Sequence, residues 1–281
     1  MNIDSGFIKL NIGVLKTVVL LLLFFILFTP YRAISQNIMG ARGIGIAGAV
    51  TALPNYEWSI FQNPAMMPAE NSHVSFFAIR YYGISELTDS AISGVHSFGF
   101  GTLGVGLHGY GFDLYRENQF RLAYMKPFEN FRLGAVLNYQ HVSIERYGSA
   151  GALAANIGFS VQLADGLWLG TRASNVNQGS FGEANEELPR ELAVGLSYLM
   201  VEKVLFAIDL VKDVRFPVAY RTGLELDVYD EFLHLRGGVS TEPLTFSAGL
   251  GITRPFWGAG FAAQHHEWLG WSPGVDFKTS W

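Results

Sequence analysis

The sequence predicts an all-β protein, a transmembrane antiparallel β-barrel of about fourteen strands, with about twelve as the alternative. Three observations carry this expectation: an export signal, a body poor in charge but rich in glycine and aromatics, and apolar residues that alternate with period two. Charged residues make up 15% of the 281-residue chain, against about 25% in soluble domains. Aromatics reach 14% and glycines number 32. Beyond the signal no apolar run approaches the roughly 20 residues that a spanning helix needs. Period two is informative because successive strand side chains point to opposite faces. In a membrane barrel one face meets hydrocarbon and the other lines the lumen.

The first element is the signal. Lys9 and Lys16 make a basic start, and Thr17–Phe28 (TVVLLLLFFILF) is an unbroken apolar run. That run is too short to span a bilayer, and Ala33-Ile34-Ser35 follows as a small-x-small cleavage pattern. Residues 1–35 are expected to be removed, with an uncleaved anchor as the alternative. The mature chain would start at Gln36 and keep 246 residues (281 less 35), enough for one large barrel.

Next comes Gly43-Ile44-Gly45-Ile46-Ala47-Gly48, which satisfies G-x-G-x-x-G. A dinucleotide turn requires a buried strand before those glycines and a βαβ unit around them. Neither is present, so the glycines serve something else. Residues 36–72 have no clean period and form the segment before the barrel proper, residues 73–281.

The strands follow in order, starting near His73, Asp89, Thr102, Asn118, Asn130, Gly151, Leu167, Leu188, Val204, Val218, Phe232, Leu244, Trp257 and Trp271. In the fifth, Phe131, Leu133, Ala135, Leu137 and Tyr139 share a face opposite Arg132, Gly134, Asn138 and Gln140. In the tenth, Tyr220, Thr222, Leu224, Leu226 and Val228 oppose Arg221, Gly223, Glu225 and Asp227. A soluble sandwich also alternates, but its water-facing side would carry more Lys and Glu than Gly. Every second connection is tight, at 98–101, 126–130, 165–167, 201–203, 229–231 and 254–256. Those between are longer (GISELTD, GFDLYRE, 174–189, KDVRFP, HHEWLGWSP), with 241–243 the short exception. This asymmetry is expected of an outer-membrane barrel with both termini in the periplasm and outer-membrane lipid around it. The last strand, GVDFKTSW, places Val275, Phe277, Thr279 and Trp281 on one face. Phe277 and Trp281 look like the carboxy-terminal signal read by bacterial barrel-assembly machinery.

Gly40-Ala41-Arg42, Gly48-Ala49, Glu57-Trp58 and Asn63-Pro64-Ala65 resemble the amino-terminal region of the FadL fatty-acid transporters. They resemble still more closely the PorV/PorQ family of the Bacteroidetes type IX secretion system. The chain departs from the pattern at Met66-Met67, where the family continues Gly-Leu, and at Asn55-Tyr56-Glu57, where it carries an acidic pair. The resemblance implies a segment folded into the lumen as a plug, with Gly40, Ala41, Arg42, Gly43, Gly45, Gly48, Trp58, Asn63, Pro64 and Ala65 as its motif. Gly43, Gly45 and Gly48 then read as packing glycines. It implies an accessory or scaffold role in a secretion or outer-membrane assembly complex, beside another outer-membrane protein. Its FadL side implies, as the alternative, transport of small hydrophobic or amphipathic molecules.

Arg132, Arg172, Glu191, Asp209, Arg221, Glu225, Asp227, Arg236, Asp276 and Lys278 are expected to point inward. There they should pair across strands and with the plug, because an unpaired charge out of water is costly. Large apolar residues are few on that face, mainly Val136, Trp168 and Leu205, which disfavours a continuous apolar path for a fatty acid. Leu53, Trp58, Ile60 and Phe61 could still build a small apolar pocket for a hydrophobic ligand beside the wall. The net charge of −5 argues against nucleic acid, and the lack of cysteine removes disulfides and thiolate metal sites. His265-His266-Glu267 invites a metal reading, but neighbours on a strand face opposite ways; it reads instead as a loop-end pair at the outer interface. No catalytic constellation can be placed from spacing. Neither enzymatic activity, a cofactor nor a metal is expected.

Overall fold

The computed structural model describes residues 38–182, 186–200, 203–229 and 232–281. The signal segment and its cleavage site lie outside them. Fourteen antiparallel strands close into one barrel. The first seven are β1 (His73–Arg80), β2 (Thr88–Phe98), β3 (Gly101–Phe112), β4 (Tyr115–Pro127), β5 (Phe131–Ile144), β6 (Gly148–Ala164) and β7 (Leu167–Ala173). A small hairpin, β8 (Ser180–Phe181) and β9 (Glu186–Glu187), interrupts the series. The rest are β10 (Glu191–Met200), β11 (Val204–Asp213), β12 (Val218–Tyr229), β13 (Leu233–Thr241), β14 (Leu244–Thr253), β15 (Trp257–His266) and β16 (Gly270–Ser280). β7 pairs with β10 across the hairpin, and β1 pairs with β16 to complete the circle. Beyond that seam Ser72 and Trp281 exchange two backbone hydrogen bonds, of 3.4 and 3.1 Å. Closure leaves no strand of the barrel with an unpaired edge, which a lipid environment demands.

The alternation sets the two faces as the sequence predicts. On β5, Leu133, Leu137 and Tyr139 point outward and are exposed, while Gly134, Val136 and Asn138 are buried within. Leu137, Leu153 and Leu192 are each at least 60% exposed, a surface that water would penalise and hydrocarbon accepts. This is a transmembrane barrel.

Two local expectations are corrected. GFDLYRE is not a long loop: Gly111 pairs with Arg116 and Phe112 with Tyr115, leaving Asp113-Leu114 as the turn. Polar residues suggested a loop there, but they extend β3 and β4 beyond the apolar belt. Leu188 does not start a strand; it is buried with Ala152 and Ala154 of β6, with Phe181 packed against them. Asn175 ties this loop together, accepting from the Gly179 N–H at 2.7 Å and donating to the Leu188 carbonyl at 3.0 Å. The segment before β1, in which no period could be read, has structure of its own. It contains a short helix, α1 (Ala41–Gly45), and two 3-10 turns, Ser59–Phe61 and Pro64–Met66. Elements this short leave no readable period.

Candidate functional site

The barrel interior is filled by residues 38–69, and the wall makes room for them with glycine. A Cβ on Gly134 would lie 2.5 Å from the Ala65 nitrogen, one on Gly158 2.0 Å from Asn63 Oδ1, and one on Gly170 2.1 Å from the Thr51 carbonyl oxygen. Gly223 and Gly238 face Ile46 in the same way. Backbone can press against the wall at these points because no side chain stands between.

The motif residues occupy distinct places in this fit. At Gly40, with φ of 83°, a Cβ would strike the Trp58 ring at 2.2 Å. The Ala41 N–H donates to Asp276 at 2.8 Å. Arg42 clasps Glu225 through two hydrogen bonds of 2.9 and 2.8 Å. Gly43 faces the Tyr56 hydroxyl inside the plug, whereas Gly45 meets Arg236 and Gly249 of the wall. Gly48 turns the chain at φ of 77°, and its carbonyl accepts from Arg221 at 3.2 Å. The Trp58 ring centroid lies 5.6 Å from that of Phe77 and 6.0 Å from that of Phe61. Asn63 accepts from the Ala65 N–H at 3.1 Å, so capping the Pro64–Met66 turn, and donates to the Thr51 carbonyl at 2.6 Å.

The inward charges divide into two groups. Glu225 binds both Arg42 and Arg236, the latter at 2.6 Å. Arg172 pairs with Glu191 at 2.9 Å, and Lys278 pairs with Glu57 of the plug. Asp209, Asp276, Arg221 and Arg132 make contacts other than the ion pairs expected. Asp209 accepts from the Val50 and Thr51 N–H groups at 3.0 and 2.9 Å. With Asp276 and Arg221 it serves plug backbone, because backbone is what the wall glycines admit. Arg132 stacks on Trp168, 4.6 Å from the ring centroid. Asp227 lies two residues beyond Glu225 on the same face of β12. The sequence reading overlooked Tyr56, whose buried hydroxyl donates to the Met39 carbonyl. Its place in Asn55-Tyr56-Glu57, where the chain departs from the family pattern, was the available signal.

Two cavities flank the plug. The larger, about 920 Å³, lies towards the loop end and is floored by Phe61 and Gln62, with Gln119, Arg121, Asn138 and Arg172 around it. Arg121 donates to the Ile60 carbonyl at 3.3 Å and sits 4.8 Å from the Phe61 ring centroid. The smaller, about 230 Å³, lies towards the chain termini and is lined by Arg42, Glu57, Glu225, Arg236 and Lys278. The apolar pocket expected from Leu53, Trp58, Ile60 and Phe61 is not formed. Leu53 and Ile60 are fully buried in one core with Phe77, Val95 and Met125, as tight packing consumes the space. Phe277 and Trp281 stand exposed on the outer face, near the terminal end. His265 leans on Trp271 at 4.8 Å between centroids, and His266 accepts from the Trp268 N–H at 3.2 Å.

No family model and no curated protein matches the chain. Solved structures do. The monoaromatic hydrocarbon channel CymD aligns with a TM-score of 0.68 at 13% identity, covering 88% of this chain and 99% of that one. The Ralstonia pickettii toluene transporter TbuX gives 0.64 at 12% identity, covering 87% and 98%. A Pseudomonas aeruginosa FadL homologue gives 0.58 at 11% identity, covering 89% and 99%. With its closed fourteen-strand wall, the chain has the fold of the FadL-type barrels.

Proposed function

We propose that this protein resides in the bacterial outer membrane and passes a small hydrophobic or amphipathic molecule through a lumen that its amino-terminal segment closes. The vestibule of about 920 Å³ carries the reading, because its floor is the plug itself. An entering molecule meets Phe61 beside Arg121, an apolar ring next to a cation, which suits a compound with both characters. The neighbours described as a hydrocarbon channel and a toluene transporter support this choice. The test is uptake of radiolabelled toluene and of hexanoate by cells that lack other hydrocarbon channels. Expression should raise uptake of at least one compound several-fold; unchanged uptake of both overturns the reading.

Outer-membrane lipid around the belt, and assembly machinery acting on Phe277 and Trp281, belong to the same proposal. The secretion scaffold implied by the PorV/PorQ resemblance is weaker, since the relatives named above are channels and transporters. It would require a second outer-membrane protein that co-purifies in mild detergent.

A further inference from the structure

The outer face of β1–β5 carries three successive rows set by strand register. The first holds Phe76, Ile92, Leu107, Phe120 and Tyr139, all large and exposed. Two residues towards the loop end, the second row is Ala78, Ser90, Gly109, Asn118 and His141. Two residues further, Arg80 pairs in register with Thr88, and Gly111 with Arg116. Outward chemistry therefore passes from large apolar, through small and polar, to cationic within about 14 Å of strand.

The second row lacks bulk at its middle. A Cβ on Gly109 would meet nothing nearer than Asn118 Oδ1 at 3.7 Å and Ser90 Oγ at 3.9 Å. A depression of about 500 Å³ results, floored by Ser90 and Gly109 and walled by the apolar row. We infer that this groove binds one phosphate-bearing membrane lipid, an acyl chain lying along the aromatic wall and the phosphate at Arg80 and Arg116.

The position selects the occupant. The groove opens onto the face that hydrocarbon covers, and it crosses the level at which chains give way to headgroups. Arg80 and Arg116 stand outside the groove's lining, one row beyond it on the headgroup side, and guanidinium is suited to bidentate phosphate recognition. Arg80 is exposed; Arg116 bonds to Asp113 at 3.3 Å in an exposed pair. A pair of that kind is worth little, so a phosphate can displace it.

The test is native mass spectrometry of the purified protein in mild detergent, titrated with phosphatidylglycerol or with diacylglycerol, which lacks the phosphate. Gly109→Leu fills the groove where the space is open. Gly237→Leu is the control, at an outward site on β13 where a Cβ would meet just the Ser247 carbonyl oxygen, at 3.9 Å. The unsubstituted protein and the control should retain one phosphatidylglycerol, and Gly109→Leu about fivefold less. Arg80→Gln with Arg116→Gln should abolish the preference for phosphatidylglycerol over diacylglycerol. Each variant is first checked for the compact gel migration of a folded barrel. Equal retention by Gly109→Leu, or no headgroup preference in the unsubstituted protein, overturns the assignment.

Discussion

Glu225 shows how a single residue holds the plug. It lies between Arg42 of the plug and Arg236 of the adjacent strand, 11% exposed at its side chain. Glu225→Gln removes the carboxylate that the two guanidiniums share and leaves them only the more distant Glu57 and Asp276, a loss of about 3 kcal/mol by analogy with broken buried pairs. The expected result is a lower urea midpoint, together with channel openings in planar bilayers that the unsubstituted protein lacks. Asp209→Asn is milder, because an amide oxygen still accepts from Val50 or Thr51. It should cost about 1 kcal/mol, and a midpoint as low as that of Glu225→Gln would refute this ranking. The sequence showed which charges face inward. It could not show which would bind side chains and which backbone, since that depends on how closely residues distant in sequence approach.

At the scale of elements, wall strands and plug meet through absent side chains. Gly158→Val would drive its side chain into Asn63, and Gly134→Val into the Pro64–Met66 turn. Both should expel that turn while leaving the barrel paired. Single-channel conductance should rise, with compact gel migration retained. The same substitution at outward Gly237 should change neither. Inward glycines were legible as part of the alternation, but their purpose was not, because a gap has meaning once its occupant is placed. Strand ends were read poorly for a related reason. Arg116 and Glu117 look like loop residues, yet they pair with β3 and β5 beyond the apolar belt.

For the whole molecule, the barrel and its filling are separable in principle. The wall is closed by its own hydrogen bonds from β1 round to β16, whereas the plug contributes one five-residue helix and two short turns. Deleting residues 40–69 should therefore give a barrel that still assembles, with large, steady conductance in place of a closed lumen. Failure to reach the membrane would show instead that the plug is required for closure.

The sequence alone determined the barrel, because outward and inward faces follow from a period of two residues, which is local and repeats along every strand. It also set which charged residues stand opposite the apolar face. The tertiary structure decided what those charges hold, where the plug touches the wall, and that Leu53 and Ile60 are core instead of pocket lining. Those outcomes depend on contacts between residues far apart in sequence, such as Asn63 with Gly158, 95 positions on, and Arg42 with Glu225, 183 positions on. Shape complementarity over such separations leaves no periodic trace in the chain.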